Sequence, residues 1–483
     1  MAMTLYVGMK IPSPIRINLK RLEKNHAISI GYAICNSQPN EAMDIFSKIA
    51  KALQFVLNEK ADELAKESGF IKRARKVKGS TFIKTLLFAW LPKPDTSVEG
   101  IARAGFTHHL KISAQGIDKR FTPEAGEFLK NVLGAAVSQA IAASEPAAIE
   151  LFSRFTHIYV ADCSTVTLPE QLADRYTGAG GAGKPRQSSA KIDTRLELKS
   201  GHLYFDLLDG KHSDNRSHGA KAVYEPGSLR LQDLGYFNLA RMKAQSEHGE
   251  YWISRLQPRT QVFTVQGDKI DLSEWVATLN QQGRVTHEMT VNIGSQEQLP
   301  TRLLLWKVPE EQAGRRRAKM KENAQNQGRL PTRKNLELCD WNWLITDVEA
   351  SKLSFEECYV LYGVRWQIEL LFKLWKTQGR LGHSRSAKPE RILCEFYVKL
   401  LGALVQHWIC LAGLWQNPHR SLVKGCQMIK EQTERLANCL NDVNALMAFL
   451  KELAERFNYS CSLNSRKKKP NTSQRIDYKY AFS

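Results

Sequence analysis

The chain has 483 residues, 43% of them hydrophobic, and a formal net charge of +20. The hydrophobic share excludes a disordered chain, and the length allows roughly two to four domains around sizeable cores. So basic a protein repels itself unless it meets a polyanion, which makes nucleic acid the expected partner. Nine cysteines are scattered without a CxxC pair. That usage argues against a disulfide framework or a zinc ribbon and for a reducing, cytoplasmic compartment. No signal peptide is read at the N-terminus.

In chain order, residues 1–42 show no sustained period and read as an arm or leader. Residues 43–150 have a helical pattern. Within them "SVEGIARAG", capped by Asp95 or Thr96 and ended by Gly105, precedes a second short helix around "SAQGIDKRF". The pair reads as a helix-turn-helix that offers Ser113, Gln115, Lys119 and Arg120 to a DNA groove, or as an ordinary helical hairpin.

Strand patterns begin at residue 157 with "HIYVADCSTVTL", which carries Asp162 and is expected to hold it at the strand's end. "KIDTRLEL" and "LYFDLLDG" flank "KSGH" and read as a hairpin. "LRLQDLGYF" is a further short strand, ending at Asp233 and followed by a helix. Residues 246–345 are strand-rich, and their run "RRRAKMK" is expected to be an extended basic finger on DNA phosphates. The helical pattern resumes with "SFEECYVLYGVRWQIELLFKLWK" and continues beyond residue 386 to a basic tail. Residues 400–415 form the longest apolar stretch; with Gln406 and His407 inside, they read as a buried helix and not a membrane span.

Two segments resemble sites without completing them. "GAGGAGKP" at residues 178–185 has Pro185 where a phosphate-binding loop needs Ser or Thr, so no nucleotide cofactor is expected. "KHSDNRSHG" offers two histidines and an acid, yet reads as a polar loop before a metal site.

On a single helix, Tyr362, Arg365, Glu369 and Lys376 fall on one stripe beside an apolar face. A helix packed across the sheet brings Glu369 toward Asp162 and Asp233, if the first and fourth strands are neighbours. Three converging carboxylates repel one another unless they share hard divalent cations. Such ions suit phosphoryl transfer.

These blocks resemble the three catalytic blocks of DDE transposases of the cut-and-paste insertion-sequence group, marked by Y-x2-R-x3-E-x6-K. That pattern is met at Tyr362, Arg365, Glu369 and Lys376. "DLGYF" at 233–237 is close to the group's second block. The resemblance implies an α/β fold: an RNase H-like mixed sheet flanked by helices, with a β-rich insertion and a helical N-terminal DNA-binding domain. The catalytic core would span 151–385, interrupted by the insertion at 246–345, and 386–483 would be a C-terminal helical region.

It further implies a triad of Asp162, Asp233 and Glu369 that holds two Mg²⁺ or Mn²⁺ ions. Tyr362, Arg365, Lys376 and Arg255 would contact DNA, and Trp341 or Trp343 would stack a flipped base. The expected reaction is cleavage at terminal inverted repeats, hairpin formation and strand transfer, by a homodimer holding two DNA ends. The alternatives are an inactive transposon-derived DNA-binding protein and an RNase H-like structure-specific endonuclease.

Overall fold

Alternating burial along Ile158–Leu168 makes this run the long strand β1. The structure is a computed structural model, and it describes residues 44–73, 77–179, 187–257, 259–465, 474 and 476. The arm expected at 1–42, most of the glycine-rich loop and most of the basic tail lie outside the described residues.

The other strands are β2 (Ser188–Glu197), β3 (Leu203–Asp209), β4 (Leu229–Gln232), β5 (Tyr251–Arg255), β6 (Val262–Phe263), β7 (Thr286–Ile293), β8 (Leu299–Lys307) and β9 (Trp341–Thr346). They form one mixed sheet in the order β3-β2-β1-β4-β5-β9-β8-β7-β6. β1, β4 and β5 are mutually parallel neighbours and the remaining pairs are antiparallel. The strand-rich stretch therefore extends the same sheet, entering through β9 against β5. Asp162 is the fifth residue of β1, not its last as expected, because β2 stays paired as far as Leu168.

Seventeen helices surround the sheet among the described residues. Six precede it: α1 (Ile45–Gln54), α2 (Lys60–Glu67), α3 (Gly79–Trp90), α4 (Val98–Gly105), α5 (Ala114–Asp118) and α6 (Pro123–Val137). Five interrupt it: α7 (His218–Lys221), α8 (Leu239–Glu247), α9 (Leu272–Gln281), α10 (Glu310–Gln325) and α11 (Arg333–Leu338). Six follow: α12 (Phe355–Val364), α13 (Trp366–Thr377), α14 (Pro389–Leu411), α15 (Leu422–Glu431), α16 (Thr433–Cys439) and α17 (Val443–Ser460).

α14 is long and apolar enough to cross a membrane by length and composition, but 94% of its most apolar window is buried inside the protein. α3 and α6 pack on it, and α1 packs on α17. Polar contacts reinforce this joint: buried Lys84 donates to Asn58 at 2.8 Å and to Asn441 at 3.3 Å. Helices from before and after the strands thus form one layer around the principal core. A second core, built on Trp252, Val276, Leu303, Leu305, Trp341 and Ile345, fills the far half of the sheet.

Three local expectations are corrected. Ser97, not Asp95 or Thr96, caps α4 by accepting the Gly100 amide. Asp95 is instead engaged by Arg380 and Arg385, each at 3.1 Å. The run at 315–321 is the middle of helix α10 and not an extended finger. Only Ala313 of α10 is buried, so no apolar period marks it as helical. The helix expected across 358–376 is interrupted at Arg365, where the Arg365 and Ile368 amides bond back three residues instead of four.

Candidate active site

Register places the first two acids. β1 pairs with β4 at Ile158↔Leu229 and Val160↔Leu231, and two further steps bring residue 162 level with residue 233. Asp233 directly follows β4 and opens the 3-10 turn Leu234–Tyr236. Cross-strand partners share a sheet face, so Asp162, Thr194 and Phe205 point the same way. Phe205 meets Trp375 of α13 edge-on at 5.7 Å, which identifies that face as the one α13 covers. Ile368, Leu371, Phe372 and Trp375 are buried in that contact, and Glu369 lies between them on the half-exposed flank.

Arg365 organises the three acids. Its Nη2 lies 2.7 Å from Glu369 Oε1 and 3.9 Å from Asp233 Oδ1, and its Nη1 lies 4.0 Å from Asp162 Oδ2. Arg255, at the end of β5, donates to Asp233 Oδ1 at 3.0 Å. Tyr362 donates its hydroxyl to the Gln232 carbonyl at 3.3 Å, and its ring lies 5.8 Å from the Arg365 guanidinium carbon. Lys376 is exposed in the last turn of α13.

The two aspartates are driven in opposite directions. Burial pushes the Asp162 carboxyl up to about 6; the Cys163 amide and Arg365 oppose this, while Asp233 and Glu369 add to it. Burial also raises Asp233, but Arg365 and Arg255 outweigh it and hold this carboxyl below its usual range. Burial weakens the charge on Arg365, yet Tyr362, Asp233 and Glu369 more than restore it.

Among the described residues, no three His, Cys, Asp or Glu side chains are gathered closely enough to hold a metal ion. Around Arg365 the carboxylates encircle a guanidinium instead of sharing one empty point. Chemically the three side chains offer only carboxylate oxygens, the donor type that hard divalent cations take.

The remaining nominated residues are dispersed. Trp341 is 1% exposed in the second core and lies face-on to no solvent. Trp343 is half-buried against Trp275 and donates to the Leu338 carbonyl at 3.4 Å. Its own carbonyl accepts the Leu256 amide, next to Arg255. Lys119 and Arg120 follow α5 in the helical layer. His218 pairs with Asp206 at 3.0 Å while Asp214 pairs with Lys191 at 2.6 Å, so "KHSDNRSHG" serves two separate contacts. In α10, Arg316 reaches Asn342 at 2.6 Å and Arg317 pairs with Glu310 and Asp340. Sequence reasoning missed the place of Arg365 among the acids. Its pairing with Glu369 has a visible i,i+4 signal, but its reach to Asp162 and Asp233 has none.

The family model described as "Transposase DDE domain" matches residues 153–405, from just before β1 into α14. The transposase for insertion sequence element IS231B of Bacillus thuringiensis subsp. berliner is 28% identical over 392 residues, covering 77% of this chain and 80% of the relative. That for IS231F of Bacillus thuringiensis subsp. israelensis is 29% identical over 370 residues, covering 72% and 76%. That for IS1151 of Clostridium perfringens is 25% identical over 395 residues, covering 77% and 81%.

Proposed function

The chain belongs to the DDE transposase family, as an enzyme of DNA cleavage and strand transfer, and from that premise we propose that Asp162, Asp233 and Glu369 are its catalytic carboxylates. The observation that carries this reading is their convergence on one guanidinium, within 2.7, 3.9 and 4.0 Å of Arg365. The acids come from a central strand, from the end of its parallel neighbour and from a covering helix. This arrangement, with β1, β4 and β5 parallel and β2 and β3 turned back beside them, supports an RNase H-like core.

Asp162, Asp233 and Glu369 would hold two divalent cations, Mg²⁺ or Mn²⁺, which supply a nucleophile at neutral pH and neutralise charge at the reacting phosphate. Arg365 offers a planar fork suited to phosphate oxygens once the acids have another cation. Arg255 extends the same edge of positive charge from β5. Tyr362 adds a hydroxyl and Lys376 a point charge beyond them. Trp343, half-buried and bonded to the strand of Arg255, is the better placed of the two tryptophans for stacking on a base.

On this reading the substrate is double-stranded DNA bearing the terminal inverted repeats of an insertion sequence. The helices at 43–150 would grip it through the α4–α5 pair, Lys119 and Arg120 included. Cleavage, hairpin formation and joining to target DNA would follow in a homodimer that holds two ends. The region 386–483 contributes helices that complete the helical layer. Metal-dependent nicking of end-containing duplexes tests the reading. Wild type should nick them and Asp162→Ala should not. Retained nicking by Asp162→Ala removes the site assignment, and cutting of junctions regardless of end sequence replaces it with a structure-specific nuclease.

A further inference from the structure

Behind the carboxylates, on the other face of the sheet, lies a largely buried polar chain that the reaction itself does not use. Cys163 and Asp193 are Cα partners of β1 and β2, and strand alternation turns both away from the face of Asp162. Cys163 Sγ lies 3.5 Å from Asp193 Oδ1 and 3.1 Å from Tyr236 Oη. With the thiol donating to the carboxylate, the Tyr236 hydroxyl donates to the sulfur. Asp193 has no exposed surface, and its second oxygen accepts the Gly219 amide at 2.8 Å. That approach needs glycine, since a Cβ at 219 would stand 2.8 Å from Asp193 Oδ1. Tyr236 is 5% exposed. Close backbone packing thus fixes the Asp193 end, and burial holds Tyr236 at the other.

Two members of the chain also bond a candidate catalytic aspartate through a backbone amide. The Cys163 amide donates to Asp162 Oδ1 at 2.8 Å, so the placing of residue 163 aims that carboxylate. The Tyr236 amide donates to the Asp233 carbonyl at 3.0 Å and closes the turn that Asp233 opens. β1 and the turn after β4 carry no ladder bonds to one another at this level, since their pairing ends at Val160↔Leu231. The Cys163–Tyr236 contact joins them where the ladder has stopped.

We propose that Tyr236, Cys163 and Asp193 form a positioning network that sets the separation and aim of the Asp162 and Asp233 carboxylates for a divalent cation. The inference rests on the reading of those two aspartates as cation ligands. None of the three is a catalytic residue; each acts through a neighbour in the chain. Hydrogen-bond partners behind metal ligands commonly change metal affinity or activity by about 10- to 100-fold when removed.

The test measures Mn²⁺ binding to the full chain by titration calorimetry without DNA, beside melting temperature and the cleavage rate of end-containing DNA. Tyr236→Phe should weaken Mn²⁺ binding about 10-fold and slow cleavage in step, with DNA affinity unchanged. Cys163→Ser keeps a hydroxyl in the chain and should stay close to wild type, while Cys163→Ala should behave like Tyr236→Phe. A purely structural role would move the melting temperature alone. Wild-type Mn²⁺ binding by Tyr236→Phe, or equal losses in folded Cys163→Ser and Cys163→Ala, overturns the network. Asp162→Asn separates the two levels. Loss of Mn²⁺ binding there with none in Tyr236→Phe overturns the network alone, whereas unchanged binding in Asp162→Asn overturns the ligand reading beneath it.

Discussion

Arg365 holds Glu369 at 2.7 Å across the interruption between α12 and α13. The bond ties the residue at the interruption to the first turn of α13. It places the guanidinium where it also reaches the two aspartates.

Arg365→Ala should remove the cation that keeps three acids together. The free protein should lose about 2 kcal/mol of stability, less than a fully buried pair because Glu369 keeps contact with solvent. Added Mg²⁺ should then raise the melting temperature more in the variant than in wild type, since the ions replace the missing charge. DNA cleavage should fall on the order of 100-fold, and Arg365→Lys should restore little of it because a point charge lacks the fork. Thermal melts with and without Mg²⁺ and single-turnover rates check this.

Glu357 holds the entry of α12 in two ways. It completes a capping box with Ser354, and Arg154 grips it with two bonds of 2.6 and 2.8 Å. Glu357→Ala removes both and should cost about 2 to 3 kcal/mol. Glu357→Gln keeps the cap but loses the charge, and should cost about half as much. Urea unfolding midpoints check the order.

α10 presents Lys319 and Lys321 to solvent, while Arg316 and Arg317 are tied to the protein. If α10 lies on DNA, Lys319→Gln and Lys321→Gln should each weaken binding of any sequence alike. Each should also lower the slope of log affinity against log salt by about 0.9. Filter-binding titrations at several salt concentrations check this.

His407 is buried in α14 and donates Nε2 to the Gly201 carbonyl at 2.7 Å, a bond that works against the effect of burial without outweighing it. Burial pushes its pKa down to about 4, and burial does the same to His108. Below the unfolded value of about 6.5 the unfolded chain binds protons that the folded chain refuses. Each histidine should therefore cost up to about 3 kcal/mol as pH falls from about 6.5 to about 4, and nothing above that window. Melting temperature against pH checks the sign, and His407→Gln should flatten part of the fall.

Much of this was legible because short-range chemistry and register agree. The β-branched run around Asp162, the hairpin after it and the short strand before Asp233 all read correctly as strands. Parallel pairing of β1 with β4 then brings the two acids level. What was not legible depends on partners far along the chain. Asp95, Thr96 and Ser97 are all competent caps; Arg380 and Arg385 engage Asp95, Thr96 bonds the Ala89 and Lys93 carbonyls, and Ser97 is left to cap. α10 buries a single alanine and carries mostly polar residues, so periodicity had nothing to report. Trp341 and Trp343 lie two apart on one strand and share a face. Only the packing of α9 and β8 decides how deeply each is covered.

The central claim, that Asp162, Asp233 and Glu369 form one cation site, is met most directly by local cleavage of the polypeptide. Fe²⁺ bound in place of Mg²⁺ generates hydroxyl radicals that cut the nearby backbone when ascorbate and peroxide are added. The account predicts cuts clustered around residues 162, 233 and 369 together, suppressed by excess Mg²⁺ and absent in Asp162→Asn. Cuts at only one of these segments, or a pattern unchanged in Asp162→Asn, would contradict it.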